Sequence, residues 1–104
     1  MPAKDIDKDS IEDFIGSGRK IVYFWSDLCG PCHVVGPQVE EIAESKSISL
    51  GKVNTEDEEE IAESFSVRSL PTIILFEEGK EIDRIVGYVS KKDIEKKLDS
   101  FLGE

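Results

Sequence analysis

Residues 21–32 read Ile21-Val22-Tyr23-Phe24-Trp25-Ser26-Asp27-Leu28-Cys29-Gly30-Pro31-Cys32. The first five are apolar and β-rich without alternation, as expected of a strand buried on both faces. Beyond Cys32, the residues Val34, Val35, Val39, Ile42 and Ala43 recur at helical spacing, so a helix is expected from about Cys29. Pro37 interrupts that helix and is expected to kink it. Two cysteines separated by two residues at a helix start can close a small disulfide with little backbone change. They also lie where unpaired amide N–H groups and the helix dipole favour negative charge. That lowers the pKa of the first thiol, and the thiolate is the nucleophile.

Other readings of the pair stay open at this point. A structural disulfide closes so small a ring that it removes little chain entropy. A zinc site would draw on Cys29, Cys32 and His33, the only soft ligands in the chain. A closed structural site wants four ligands, which leaves a metal shared between subunits. Inert core thiols are a third reading, and the flanking Gly30 and Pro31 fit it poorly because they mark an exposed turn.

Outward from this segment, helices and strands alternate. Asp9 and Ser10 are candidate caps for a short helix carrying Ile11, Phe14 and Ile15 and ended by Gly16 and Gly18. Residues 48–53 read as a strand weakened by Gly51. The acidic run 56–60 precedes Ile61, Ala62 and Phe65 and reads as a solvated first helical turn, with Thr55 as its cap. Its other reading is an acidic recruitment motif. Thr72-Ile73-Ile74-Leu75-Phe76 is a second strongly apolar strand. A turn at Glu77-Glu78-Gly79-Lys80 joins it to a strand holding Ile82, Arg84 and Val86, forming a hairpin. Ser90, three residues before Asp93, opens a last helix with the stripe Ile94, Leu98, Phe101 and Leu102. The order helix, strand, helix, strand, helix, hairpin, helix implies parallel strands joined by helical crossovers, with an antiparallel edge.

The bulk numbers set limits. At 104 residues the chain is expected to form a single domain over 1–104. Thirteen Lys and Arg stand against 23 Asp and Glu, a net charge of -10, which argues against a nucleic-acid binder and against anionic membranes. No apolar stretch could span a bilayer, and the start at Met1 has no apolar leader region, so a cytoplasmic protein is expected. In that reducing compartment a close cysteine pair is more readily catalytic or metal-binding than structural.

With these residues in view, the chain resembles the thioredoxin family. Phe24-Trp25 followed by Cys29-Gly30-Pro31-Cys32 is similar to the family's active-site signature. Pro37 matches its helix proline, Leu70-Pro71-Thr72 its cis-proline motif, and Phe76, Gly79 and Gly87 its strand, hairpin and late-glycine pattern. The resemblance runs from about Ile6 to Leu102. It implies an α/β thioredoxin fold, a central five-stranded mixed sheet flanked by four helices. It implies a cis peptide bond before Pro71, beside the cysteines, where a proline has no N–H to pair and the backbone of Leu70 can meet an extended substrate. It assigns Cys29 and Cys32 as catalytic, and Trp25, Gly30, Pro31, Leu70, Pro71 and Gly87 as the substrate-binding patch.

What the resemblance implies for function is reduction of protein disulfides by dithiol–disulfide exchange. The partners would be disulfide-containing proteins and a separate thioredoxin reductase, with the chain acting as a monomer. No metal and no bound cofactor is expected. The competing readings are a redox-independent binding module or subunit using the same patch, an oxidant or isomerase, and a metal-linked dimer. One position departs from the family pattern. Tyr23 stands where a buried Asp is usual, which removes the ordinary neighbour of Lys52. Tyr23 and Lys52 are therefore candidates for proton transfer or pKa tuning, or else a core aromatic and a lysine reaching solvent. Leu28 replaces a second Trp, and His33 replaces a common Lys.

Overall fold

The fold was taken from a computed structural model, which describes residues 3–103. The elements are β1 (Lys4–Asp5), α1 (Ile11–Ile15), β2 (Arg19–Trp25), α2 (Gly30–Ser45), β3 (Ser49–Asn54), α3 (Glu59–Ser64), β4 (Thr72–Glu77), β5 (Lys80–Val86) and α4 (Lys91–Leu102). They form a five-stranded mixed sheet in the order β1-β3-β2-β4-β5. β1, β3 and β2 run parallel, while β4 is antiparallel to β2 and β5 to β4.

The unbroken apolar run of β2 is explained by its place at the centre of the sheet. Ile21 and Tyr23 face one core with Val35, Val39 and Ile42 of α2 and Ile94 and Leu98 of α4. Val22 and Phe24 face a second core with Ile11 and Ile15 of α1 and Ile61 of α3. Successive strand residues point to opposite faces, so a strand covered by helices on both sides is apolar throughout.

Several local expectations are corrected. β1 lies outside the element order read from periodicity, since its two residues are exposed and carry no pattern. Gly51 is no weak point. A Cβ there would lie 2.7 Å from Ile6 Cγ1 and 2.8 Å from the Phe14 ring, so only glycine admits both side chains. Thr55 does not cap α3, which starts only at Glu59. The side-chain oxygen of Asn54 accepts the Glu56 amide at 3.0 Å, and its carbonyl accepts those of Asp57 and Glu58, folding 54–57 into a turn instead. Ser10 takes the N-cap position of α1 without a capping bond, because its hydroxyl accepts the Asp7 N–H. Val34 is half exposed, and Ile85 rather than Ile82 or Val86 is the buried residue of β5. Ser90 does cap α4, accepting the Asp93 N–H at 3.2 Å. α2 continues through Pro37.

Candidate active site

β2 ends at Trp25, and four residues later Cys29 takes the N-cap position of α2 with extended backbone. Cys29 and Cys32 are joined as a disulfide with Cα atoms 5.3 Å apart. Their surroundings differ. Cys32 is 3% exposed and lies in the core cluster, while Cys29 is only partly buried at its rim. Cys29 Sγ accepts the Cys32 main-chain N–H at 3.2 Å. One first-turn amide of α2 thus points at the outer sulfur, at the helix N-terminus, which suits an anion there.

The sheet carries the other site residues to the same edge. Phe24 pairs with Thr72, so the Leu70–Pro71 bond at the start of β4 lies beside the end of β2, and that bond is cis. Thr72 pairs in turn with Val86, and the Gly87 N–H donates to the Pro71 carbonyl at 2.8 Å. Gly87 adopts φ +83°, a left-handed conformation open to glycine at no steric cost. Trp25, Cys29 and Leu70 pack against one core cluster, whereas Gly30, Pro31 and Leu28 are exposed. Trp25, Gly30, Pro31, Leu70, Pro71 and Gly87 are therefore brought together at one end of the sheet.

Tyr23 and Lys52 are neighbours across β2 and β3 but do different things. The buried Tyr23 hydroxyl donates to the Cys32 carbonyl at 2.8 Å. Burial, and then the charge of Glu40, push its pKa up to about 12, so it is a hydrogen-bond donor and a poor proton acceptor near neutrality. Lys52 has neighbours after all. Its Nζ lies 3.5 Å from a Glu40 carboxylate oxygen and 5.4 Å from the centroid of the Trp25 ring. The His33 ring Nε2 meets the Asp27 carbonyl at 3.1 Å, on the surface. Among the described residues no three His, Cys, Asp or Glu side chains converge as a metal site.

Two contributors escaped the sequence reading. Ser26 is buried beside the site, and Glu56 reaches its hydroxyl from the β3–α3 turn. Glu56 was hidden in a charge run, and its only signal is that the run begins directly past a strand lying next to β2.

Comparison with known proteins agrees with this geometry. The family model Thioredoxin matches residues 4–100. A thioredoxin of Chlamydia caviae is 39% identical over 92 residues, covering 88% of this chain and 90% of its own. A thioredoxin of Porphyra purpurea is 39% identical over 84 residues, 79% of this chain and 78% of its own. The solved structure of a mutant thioredoxin from Halobacterium salinarum superposes with a TM-score of 0.89 at 24% identity, covering 96% of this chain and 90% of that one, a likeness of fold. The neighbouring cysteines are accordingly the redox pair of a thiol–disulfide oxidoreductase. From the family match and the sequence identity together, the chain belongs to the thioredoxin family.

Proposed function

We propose that Cys29 is the attacking sulfur and Cys32 the resolving one in the reduction of protein disulfides. The observation that carries this division is the unequal burial of the two: Cys32 is 3% exposed and Cys29 lies at the rim. In the dithiol form, the Cys29 thiolate attacks one sulfur of a substrate disulfide. A Cys29–substrate disulfide forms, the substrate S–S bond breaks, and one substrate thiolate leaves and takes a proton. Cys32, as its thiolate, then attacks Cys29 Sγ. The Cys29–Cys32 bond forms, the Cys29–substrate bond breaks, and the second substrate thiolate leaves. Two electrons have passed to the substrate, and a separate reductase must return two to restore the dithiol.

The patch of Trp25, Gly30, Pro31, Leu70 and Gly87, with the buried Pro71 behind it, is the proposed landing place for an extended substrate segment. The backbone of Leu70, beside a proline that has no N–H, supplies strand-like hydrogen bonds. The partners are disulfide-containing proteins and a thioredoxin reductase, met by the chain as a single-domain monomer in the cytoplasm. No helix among the described residues is long and apolar enough to cross a membrane.

The test uses two variants. Cys32→Ser is expected to accumulate a covalent complex with a disulfide substrate such as insulin, and Cys29→Ser is expected to trap none. Trapping by Cys29→Ser alone would reverse the roles.

A further inference from the structure

The segment between β2 and α2 is held largely by one carboxylate. Asp27 and Leu28 are exposed, Leu28 at 87%, so no apolar packing anchors the residues that lead into Cys29. Their N–H groups are nevertheless all used. The Ser26 hydroxyl donates to Glu56 Oε2 at 2.7 Å, and the Asp27 N–H donates to the same oxygen at 3.1 Å. Ser26 Oγ accepts the Leu28 N–H at 3.1 Å, and the Ser26 carbonyl accepts the Cys29 N–H at 3.2 Å. His33 adds a contact to the Asp27 carbonyl.

Glu56 is itself fixed. Its N–H donates to Asn54 Oδ1 at 3.0 Å, while the Thr55 N–H and hydroxyl both donate to the Trp25 carbonyl, at 2.9 and 3.3 Å. The 54–57 turn is thus tied to the end of β2 on one side and to the loop past it on the other. Hydrogen bonds to an ionised acceptor are shorter and stronger than neutral ones. A loop next to a reacting atom contributes to rate only if it holds that atom in place.

We propose that Glu56 and Ser26 are positioning residues for Cys29. Their carboxylate–hydroxyl clamp sets the path of residues 26–29 and so the placement of the outer sulfur at the tip of α2. The inference rests on Cys29 as the attacking sulfur.

The experiment follows alkylation of the fully reduced protein by iodoacetamide across pH 5–9, in variants checked for folding by near-ultraviolet circular dichroism. Ser26→Ala and Glu56→Ala are each expected to slow alkylation at neutral pH about three- to tenfold, the scale of one net hydrogen bond. The double variant is expected to be no slower than the slower single one, because both remove the same clamp. Glu56→Gln, whose amide oxygen still accepts, is expected to restore the parent rate and pH midpoint. Rates within about twofold of the parent in both alanine variants would overturn the proposal, since that is less than one such bond supplies. So would a Glu56→Gln variant as slow as Glu56→Ala. If Glu56→Ala does not fold, Ser26→Ala and Glu56→Gln decide the matter by the same criteria. A Cys29→Ser control that still alkylated at the parent rate would remove Cys29 as the attacking sulfur, and the clamp with it. A clamp that fails alone leaves that control unreactive.

Discussion

The Tyr23 hydroxyl and the Cys32 carbonyl meet at 2.8 Å, joining the central strand to the helix turn that carries the inner sulfur. The bond is buried, and the ring packs against Gly36, where a Cβ would approach the hydroxyl to 3.4 Å. It satisfies a polar group that would otherwise be costly inside the core.

A pH effect on stability follows from that burial. With a native pKa of about 12 against an unfolded value of 10.0, Tyr23 keeps its proton longer in the folded state. Its contribution is complete below about pH 10 and is lost as pH rises through the native pKa, because only the unfolded chain ionises in between. The difference in urea unfolding free energy between parent and Tyr23→Phe is expected to shrink by a few kcal/mol from pH 9 to pH 12. A difference that stays constant over this range would show that Tyr23 titrates alike in both states.

Tyr23 also bears on turnover. Tyr23→Asp puts a carboxylate into the core cluster that holds Cys32 and is expected to raise disulfide reduction or move its pH optimum downward, whereas Tyr23→Phe should not. pH–rate profiles of both variants that overlay the parent would remove the residue from the chemistry.

Two glycines should respond oppositely to one added methyl group. Gly51→Ala would drive a Cβ to within 2.7 Å of Ile6 and 2.8 Å of Phe14, and is expected to destabilise by about 1–3 kcal/mol. Gly30 lies in the first turn of α2 with nothing within 4 Å of its Cβ position. Gly30→Ala is expected to be neutral or to stabilise by about 0.5–1 kcal/mol, through reduced freedom of the unfolded chain. Chemical denaturation of the pair checks both signs.

Lys20 closes the end of the first helix. Its Nζ donates to the Phe14 carbonyl at 2.8 Å and the Ser17 carbonyl at 2.7 Å, and sits 5.2 Å from the Phe14 ring centroid. A cation bonded to a last-turn helix carbonyl, here that of Phe14, is favoured by the helix dipole as well as by the bond itself. Lys20→Met is expected to cost about 1–2 kcal/mol, with disulfide reduction unaffected. A stability unchanged by the substitution would show that water replaces the ammonium at no cost.

Lys52→Met should behave differently. Its ion pair with Glu40 is long and partly exposed, so less than about 1 kcal/mol of stability is expected to go. The ammonium lies over the ring of Trp25, the single tryptophan, so the emission of that indole is expected to shift in the variant. An unchanged spectrum would place the cation elsewhere in solution.

The most legible elements were those whose patterns arise from burial on both faces or from one helix stripe. β2, β4 and α4 are of this kind, and so is the hairpin turn with Gly79 at its bend. β1 was illegible because two exposed residues hold their place only by pairing with Gly51 and Lys52. The start of α3 was misread because Asn54 takes the amide of Glu56 with its side chain and those of Asp57 and Glu58 with its carbonyl, folding a turn where a helix was expected. The cysteine pair and its helix tip could be read directly. The role of Glu56 could not, since one carboxylate among five consecutive acids is marked only by the hydroxyl it meets across the fold.

Cys29 is both the cap of a helix and the rim sulfur of the pair, and these two duties compete. That sulfur accepts the Cys32 N–H, so a change in what the sulfur is bonded to alters the acceptor at the tip of α2. The amide proton of Cys32 is therefore expected to change its resonance whenever the outer sulfur changes partner.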